Sequence, residues 1–213
     1  MRNSLCEKLI WIVLSPTIFK HMGKSWKNLD LKYLKKLSKN NYKAMIRRTP
    51  DIGNVMKNSL RMVLACGMLW FSIYDAMEGK MSHDEFGDMV IATTESKLLQ
   101  KNFKDKKSFT LKAQKKEIEK HKIANAVSNS EFNWNTEFIL GRDENEYTTI
   151  YHQCGLCALG RQEHHEDLIP YFCKLDYKFI EFMGGVLKRS GTIATGANYC
   201  DFYICKKGSK WDK

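Results

Sequence analysis

Apolar residues recur at helical spacing through the first 127 positions, and the period changes after Ser128. Leu5, Leu9, Ile12, Val13 and Phe19 give residues 4–21 one apolar side, with Pro16 as a kink or stop. Lys20 to Asn28 reads as a connection. Leu31, Leu34, Leu37, Met45 and Ile46 form the apolar side of a lysine-rich helix from Leu29 to Arg48. Thr49-Pro50-Asp51 then predicts a helix start: a capping residue, proline in the first turn and an acid the helix dipole favours. The run from Met62 to Tyr74 is apolar on nearly all faces, as a buried central helix must be, and Gly79 ends it. Ser82-His83-Asp84-Glu85 is a capping box in front of Phe86, Met89, Val90, Leu98 and Leu99. Lys101 to Lys107 reads as a charged loop, and 111–127 as an exposed Lys/Glu-rich helix.

Beyond Ser128, Trp134, Thr136, Phe138 and Leu140 alternate with other residues. Gly141 to Asn145 makes a turn, and Tyr147 to Tyr151 returns, so 133–151 is a β-hairpin. Pro170 opens a helix to about Leu187. Thr192–Thr195 and Asp201–Cys205 read as a second strand pair around Gly196-Ala197-Asn198, joining the same sheet. The fold class is α+β: a helical N-terminal half, then a small antiparallel sheet with a crossing helix. The helical region spans 1–128 and the hairpin/helix/hairpin region 129–213, together one compact domain.

Composition refines this picture. The 213 residues suffice for a sizeable core. The net charge of +11 is uneven: residues 1–122 carry 25 Lys/Arg against 12 Asp/Glu, and 123–213 carry 10 against 12. The basic excess is mostly lysine along helix faces. It lacks the interleaved arginine and aromatic residues of a nucleic-acid groove, so a solvated face is expected and no nucleic-acid partner. Leu9 to Leu14 behind Arg2 and Lys8 imitates a signal peptide, but no small-x-small cleavage site follows. Met62–Tyr74 is too short to span a bilayer. A cytosolic protein without membrane contact is expected, with its seven cysteines reduced. Self-association is left open.

The chemistry concentrates in the last sixty residues. Cys154-Gly155-Leu156-Cys157 is followed by Cys173-Lys174-Leu175-Asp176, then Arg189-Ser190-Gly191-Thr192, then Cys200-Asp201-Phe202. Cys154, Cys157, Cys173 and Cys200 could complete a four-thiolate zinc or iron–sulfur site, although the usual second close pair is missing. Cys173 and Asp176, three apart on a helix, share a face. Leu175, Tyr177 and Phe179 around Asp176 could raise its pKa toward acid/base use, and a dipole-favoured surface aspartate is the plain alternative. Adjacent residues on a strand face opposite sides unless a bulge intervenes, so one of Cys200 and Asp201 is expected to be structural. Arg189 could grip a carboxylate with its planar fork, or merely finish a helix. Glu163-His164-His165-Glu166-Asp167 reads as a solvated loop.

The string Arg189-Ser-Gly-Thr-Ile-Ala-Thr-Gly196 followed by Cys200-Asp201-Phe202, with Cys173-x-x-Asp176 upstream, resembles the L-2-amino-thiazoline-4-carboxylic acid hydrolase family of bacterial enzymes. The likeness covers roughly 134–205 well and the helical half only in general terms. It implies a hydrolase acting on a cyclic amidine, opening 2-amino-thiazoline-4-carboxylate to N-carbamoyl-cysteine. Cys200 or Cys173 would then be the nucleophile, or the support for a water. Asp176 and Asp201 would carry protons, Arg189 would hold the substrate carboxylate and Thr192 would donate to developing charge. The resemblance calls for a small-molecule substrate and no cofactor. The competing reading is a metal or iron–sulfur protein ligated by Cys154, Cys157, Cys173 and Cys200, with a redox or sensing role. A third is a helical module whose basic half meets an anionic partner.

Overall fold

A computed structural model describes residues 1, 5–104 and 107–213. Helices α1 (Leu5–Ser25), α2 (Leu31–Arg48), α3 (Leu60–Ala76), α4 (His83–Ala92), α5 (Lys97–Lys104) and α6 (Leu111–Val127) come first. Then follow β1 (Asn135–Leu140), β2 (Glu146–Gln153), α7 (Gly155–Glu163), α8 (Ile169–Phe182), β3 (Gly185–Lys188) and β4 (Cys200–Lys206). The strands form one antiparallel sheet in the order β1-β2-β4-β3. The α+β architecture is as the hydrophobic pattern predicts. No helix among the described residues is long and apolar enough to cross a membrane.

α3 is the centre of the main core, its Leu64, Met68, Leu69, Phe71 and Ile73 fully buried. Residues of the later region complete that core: Phe132, Trp134, Leu159, Phe172 and Leu175 pack with those of α1 to α4. A second, smaller core of Tyr147, Ile180, Leu187 and Ile204 lies between α8 and the sheet. Two polar contacts tie the halves further: buried Asn58 Nδ2 donates to Asn133 Oδ1 at 2.8 Å, and at the surface Arg48 pairs with Glu163.

Several boundaries differ from the sequence expectations, each for a local reason. α1 runs through Pro16 to Ser25, so most of the Lys20–Asn28 connection is helical; Arg2 and Ser4 lie outside the described residues. Thr49-Pro50-Asp51 begins no helix. A residue before proline is pushed to extended backbone, and Thr49 (φ −76°, ψ 130°) closes α2, its N–H and hydroxyl donating to the Met45 carbonyl. Asp51 instead accepts from Arg61 Nη1 at 2.9 Å, and α3 starts at Leu60. Lys101–Lys104 ends a helix instead of looping out; Asp105 and Lys106 lie outside the described residues. The Glu163–Asp167 stretch is not merely solvated, since Glu163 is buried against Arg48 and His165 Nε2 lies 2.6 Å from Asp75 Oδ1. Most relevant to function, α8 stops at Phe182. Gly184 takes a positive φ of 76°, and 185–188 becomes the edge strand β3, which pairs with β4 where 192–195 was expected to.

Candidate functional site

Pro170 sits in the first turn of α8, where its missing N–H costs nothing. The helix buries Phe172 and Leu175 in the main core and Ile180 against the sheet, which turns Cys173 and Asp176 toward β4. On β4, Cys200 and Ile204 face α8, and register sets Cys200 opposite Tyr151 of β2. The cysteine–aspartate cluster therefore lies at the seam of the two cores: Cys173, Cys154 and Tyr151 touch the main core and Phe202 the smaller one.

Arg189, just past β3, binds the cluster together. Its Nη1 donates to Asp176 Oδ2 at 2.9 Å and its Nη2 to the Cys173 carbonyl at 2.6 Å. The guanidinium is also packed over the rings of Tyr177 (4.6 Å) and Phe202 (5.2 Å). Only 7% of the Arg189 side chain is exposed, so its fork is spent inside the protein. Asp176 differs: 34% of its side-chain surface is open. Oδ1 carries no hydrogen bond among the described residues. Burial pushes the Asp176 carboxyl up to about 6, and the Arg189 cation only partly offsets that.

Burial favours the protonated form of the two thiols beside it, Cys173 and Cys200. Burial pushes Cys200 up to about 11, although the Ile193 N–H donates to its Sγ at 3.2 Å and opposes this. Burial, reinforced by the Asp176 charge, pushes Cys173 up to about 12. Cys154 and Cys157, at the start of α7, also lie within electrostatic reach of Cys173 and Cys200. α7 can begin there because Gly155 has no side chain: a Cβ would sit 2.1 Å from the Phe132 carbonyl oxygen. Among the described residues, no group of three or more His, Cys, Asp and Glu side chains is disposed to hold a metal ion. The four cysteines are neighbours without forming a ligand shell.

Two of the sequence-derived candidates have structural occupations. Asp201 projects from the opposite face of β4 to Cys200 and accepts from the Ser190 N–H (2.9 Å), the Ser190 hydroxyl (2.9 Å) and the Gly191 N–H (3.1 Å). Burial would raise its pKa, but those donors outweigh it and hold the carboxylate low. Thr192 caps a 3-10 turn at Ile193–Thr195, its hydroxyl 3.1 Å from that of Thr195; Gly196 ends the turn at φ 91°. Together these bonds shape the 190–196 loop, which delivers both Arg189 and the Ile193 N–H. The cluster thus comprises Cys173, Asp176, Arg189 and Cys200, with Asp201 and Thr192 supporting it from behind. Tyr151 is an addition that sequence did not single out. It packs on Phe202 (4.8 Å between rings) and feels the charges of Asp176 and Cys200. Only the strand register puts it there. The best-formed surface recesses lie elsewhere, around Asp143 and Lys206–Lys210 and around Tyr177 and Gly185–Leu187.

The family model for L-2-amino-thiazoline-4-carboxylic acid hydrolase matches residues 61–204, from the start of α3 nearly to the end of β4. No curated protein and no solved structure matches the chain. The match takes in the central helix, the hairpin, α7, α8 and every member of the cluster, and leaves out α1 and α2. Covering well over half of the sequence, it shows that the chain belongs to the L-2-amino-thiazoline-4-carboxylic acid hydrolase family.

Proposed function

We propose that the protein hydrolyses a small cyclic amidine bearing a carboxylate, opening the ring of 2-amino-thiazoline-4-carboxylate or a close analogue to an N-carbamoyl-cysteine. The observation that carries this reading is Asp176: a carboxyl shifted to about 6, half-committed to Arg189 and open on its other oxygen. Such a group is ionised at neutral pH yet basic enough to take a proton, which suits general acid/base work. A cationic amidinium is drawn to the same carboxylate.

The chemistry then follows from the protonation states. With both neighbouring thiols protonated, water is the nucleophile. Asp176 accepts a proton from that water as its oxygen bonds to the amidinium carbon. The tetrahedral adduct collapses by breaking the bond from carbon to ring sulfur. Asp176 returns its proton to the departing thiolate, and the resulting protonated urea releases its extra proton to solvent. Arg189 is a positioning residue here: it orients Asp176 through Oδ2 and supplies the positive potential that a substrate carboxylate favours. Cys200 and Cys173 form the wall facing the reacting carbon.

The test is turnover of 2-amino-thiazoline-4-carboxylate by the full-length protein, read as released thiol and confirmed as N-carbamoyl-cysteine by mass spectrometry. Expected is multiple turnover that Asp176→Asn slows by about 10²–10⁴-fold. Folded wild-type protein that releases no thiol between mildly acidic and mildly alkaline pH would overturn the reading.

A further inference from the structure

Cys154 and Cys157 take no part in the proposed hydrolysis, yet they sit three residues apart at the start of one helix. Cys154 is the N-cap of α7 and half-buried; Cys157, in the first turn, is buried with 9% of its surface exposed. The Cys157 N–H donates to the Cys154 carbonyl at 3.1 Å, closing a turn. Such a turn brings its end Cα atoms within about 7 Å of one another, near the separation a disulfide spans. The side chains already share a hydrogen bond.

The seven cysteines divide sharply in acidity. Burial pushes up Cys6, Cys66, Cys173, Cys200 and Cys205, and Cys154 rises because its proton is held between the two sulfurs. Cys157 moves down: the hydrogen bond from Cys154 stabilises its thiolate by more than burial disfavours it. A half-buried cysteine at the helix N-cap, sharing its proton with a buried one in the first turn, supplies the two thiols that exchange requires, one to attack and one to resolve.

We infer that Cys154 and Cys157 form a thiol–disulfide exchange site whose substrate is a low-molecular-weight disulfide, RS–SR. In the first step the proton held between the two sulfurs passes to Cys157, the Cys154 thiolate attacks one sulfur of RS–SR to form a mixed disulfide, and the departing thiolate takes that proton from Cys157 and leaves as RSH. The Cys157 thiolate then attacks the Cys154 sulfur, closing the Cys154–Cys157 bond and releasing the second RS⁻, which takes a proton from solvent to become RSH. The protein loses two electrons and one proton, solvent gives the other proton, and the external disulfide gains them all. Reduction by excess thiol runs the sequence backwards. The site borders the Asp176 cluster, so a thiol-bearing product formed there has the pair as its neighbour. The exchange itself does not depend on that hydrolysis.

The experiment equilibrates the full-length protein with mixtures of reduced and oxidised glutathione. It then denatures the protein in acid, alkylates every free thiol with N-ethylmaleimide and maps the cysteines by peptide mass. In the oxidising mixtures, two of the seven cysteines should lose alkylation. Both should fall in the segment holding Cys154 and Cys157, and dithiothreitol should restore them. Cys157→Ser should leave a glutathione adduct on Cys154, since the resolving sulfur is gone. Three results would overturn the inference: seven alkylatable thiols in every mixture, a disulfide mapping to Cys173 or Cys200, or stable glutathione adducts without an internal bond in the wild type. Hydrolysis is not part of the readout, so failure here leaves the hydrolase reading standing, and an inactive hydrolase leaves this one standing.

Discussion

Two carboxylates on opposite faces of the same sheet each meet an arginine, and their acidities move in opposite directions. Glu146 at the start of β2 accepts from Arg142 Nε at 2.5 Å and Nη2 at 2.8 Å, from the Arg142 N–H at 3.0 Å and from the Tyr203 hydroxyl. The Arg142 hydrogen bonds come first in holding it down to about 2; burial opposes them and loses. Asp176 has one arginine contact, and burial wins, lifting it to about 6. Glu146 is also capped: Arg142 lies 3.5 Å from the Trp211 ring, which covers that end of the sheet. Asp176 keeps an open oxygen. Pairing with arginine therefore does not make a carboxylate structural. What decides is whether donors saturate it. Glu146 is saturated with donors, whereas Asp176 is left short of them.

Substitutions can break this contrast, and the largest effect is expected at the unsaturated carboxylate. Asp176→Asn should lower kcat/KM by about 10²–10⁴-fold with the far-ultraviolet circular dichroism unchanged; a loss explained by unfolding would remove the distinction. Arg189→Gln comes next. It takes away the cation that opposes burial, so the acidic limb of the pH–rate profile should move upward by roughly 1–3 units. Activity well above that limb should survive if Arg189 merely positions Asp176. Glu146→Gln should do the reverse, leaving activity per folded molecule intact. The loss of hydrogen bonds to a charged acceptor, about 2 kcal/mol, should lower Tm by roughly 4–8 °C at this chain length. The smallest effect is expected from Cys200→Ser, within about tenfold in kcat/KM, since it alters one N–H···S contact of modest energy. Complete loss in that variant would make Cys200 the nucleophile and displace water.

The parts of this molecule legible from sequence are those governed by local periodicity. The capping box at Ser82 and Glu85 is present as its spacing predicts, with Ser82 Oγ accepting from the Glu85 N–H. The alternation from Trp134 to Leu140 is a strand, and Cys173 and Asp176 share a helical face because three residues separate them. What stayed hidden depends on distant partners. Gly185-Val-Leu-Lys188 continues an apolar helix in pattern, and only pairing with Lys206 to Tyr203 makes it a strand. Thr49-Pro50-Asp51 carries every local mark of a helix start, but Arg61, ten residues on, claims Asp51. Likewise, Arg189 reads from sequence as either a carboxylate grip or a helix end, and only the fold places Asp176 and the Cys173 carbonyl within its reach. Tyr151 and the saturation of Glu146 needed the strand register as well.

The central claim is that burial, only partly offset by Arg189, makes Asp176 a proton carrier near neutrality. The pH dependence of kcat/KM for thiazoline hydrolysis tests it most directly. A base whose pKa is raised works only when ionised, so activity should be lost as pH falls through about 6. That limb should vanish from the residual activity of Asp176→Asn. A limb near 4, the ordinary value for an exposed carboxylate, or a limb unchanged in Asp176→Asn, would contradict the account.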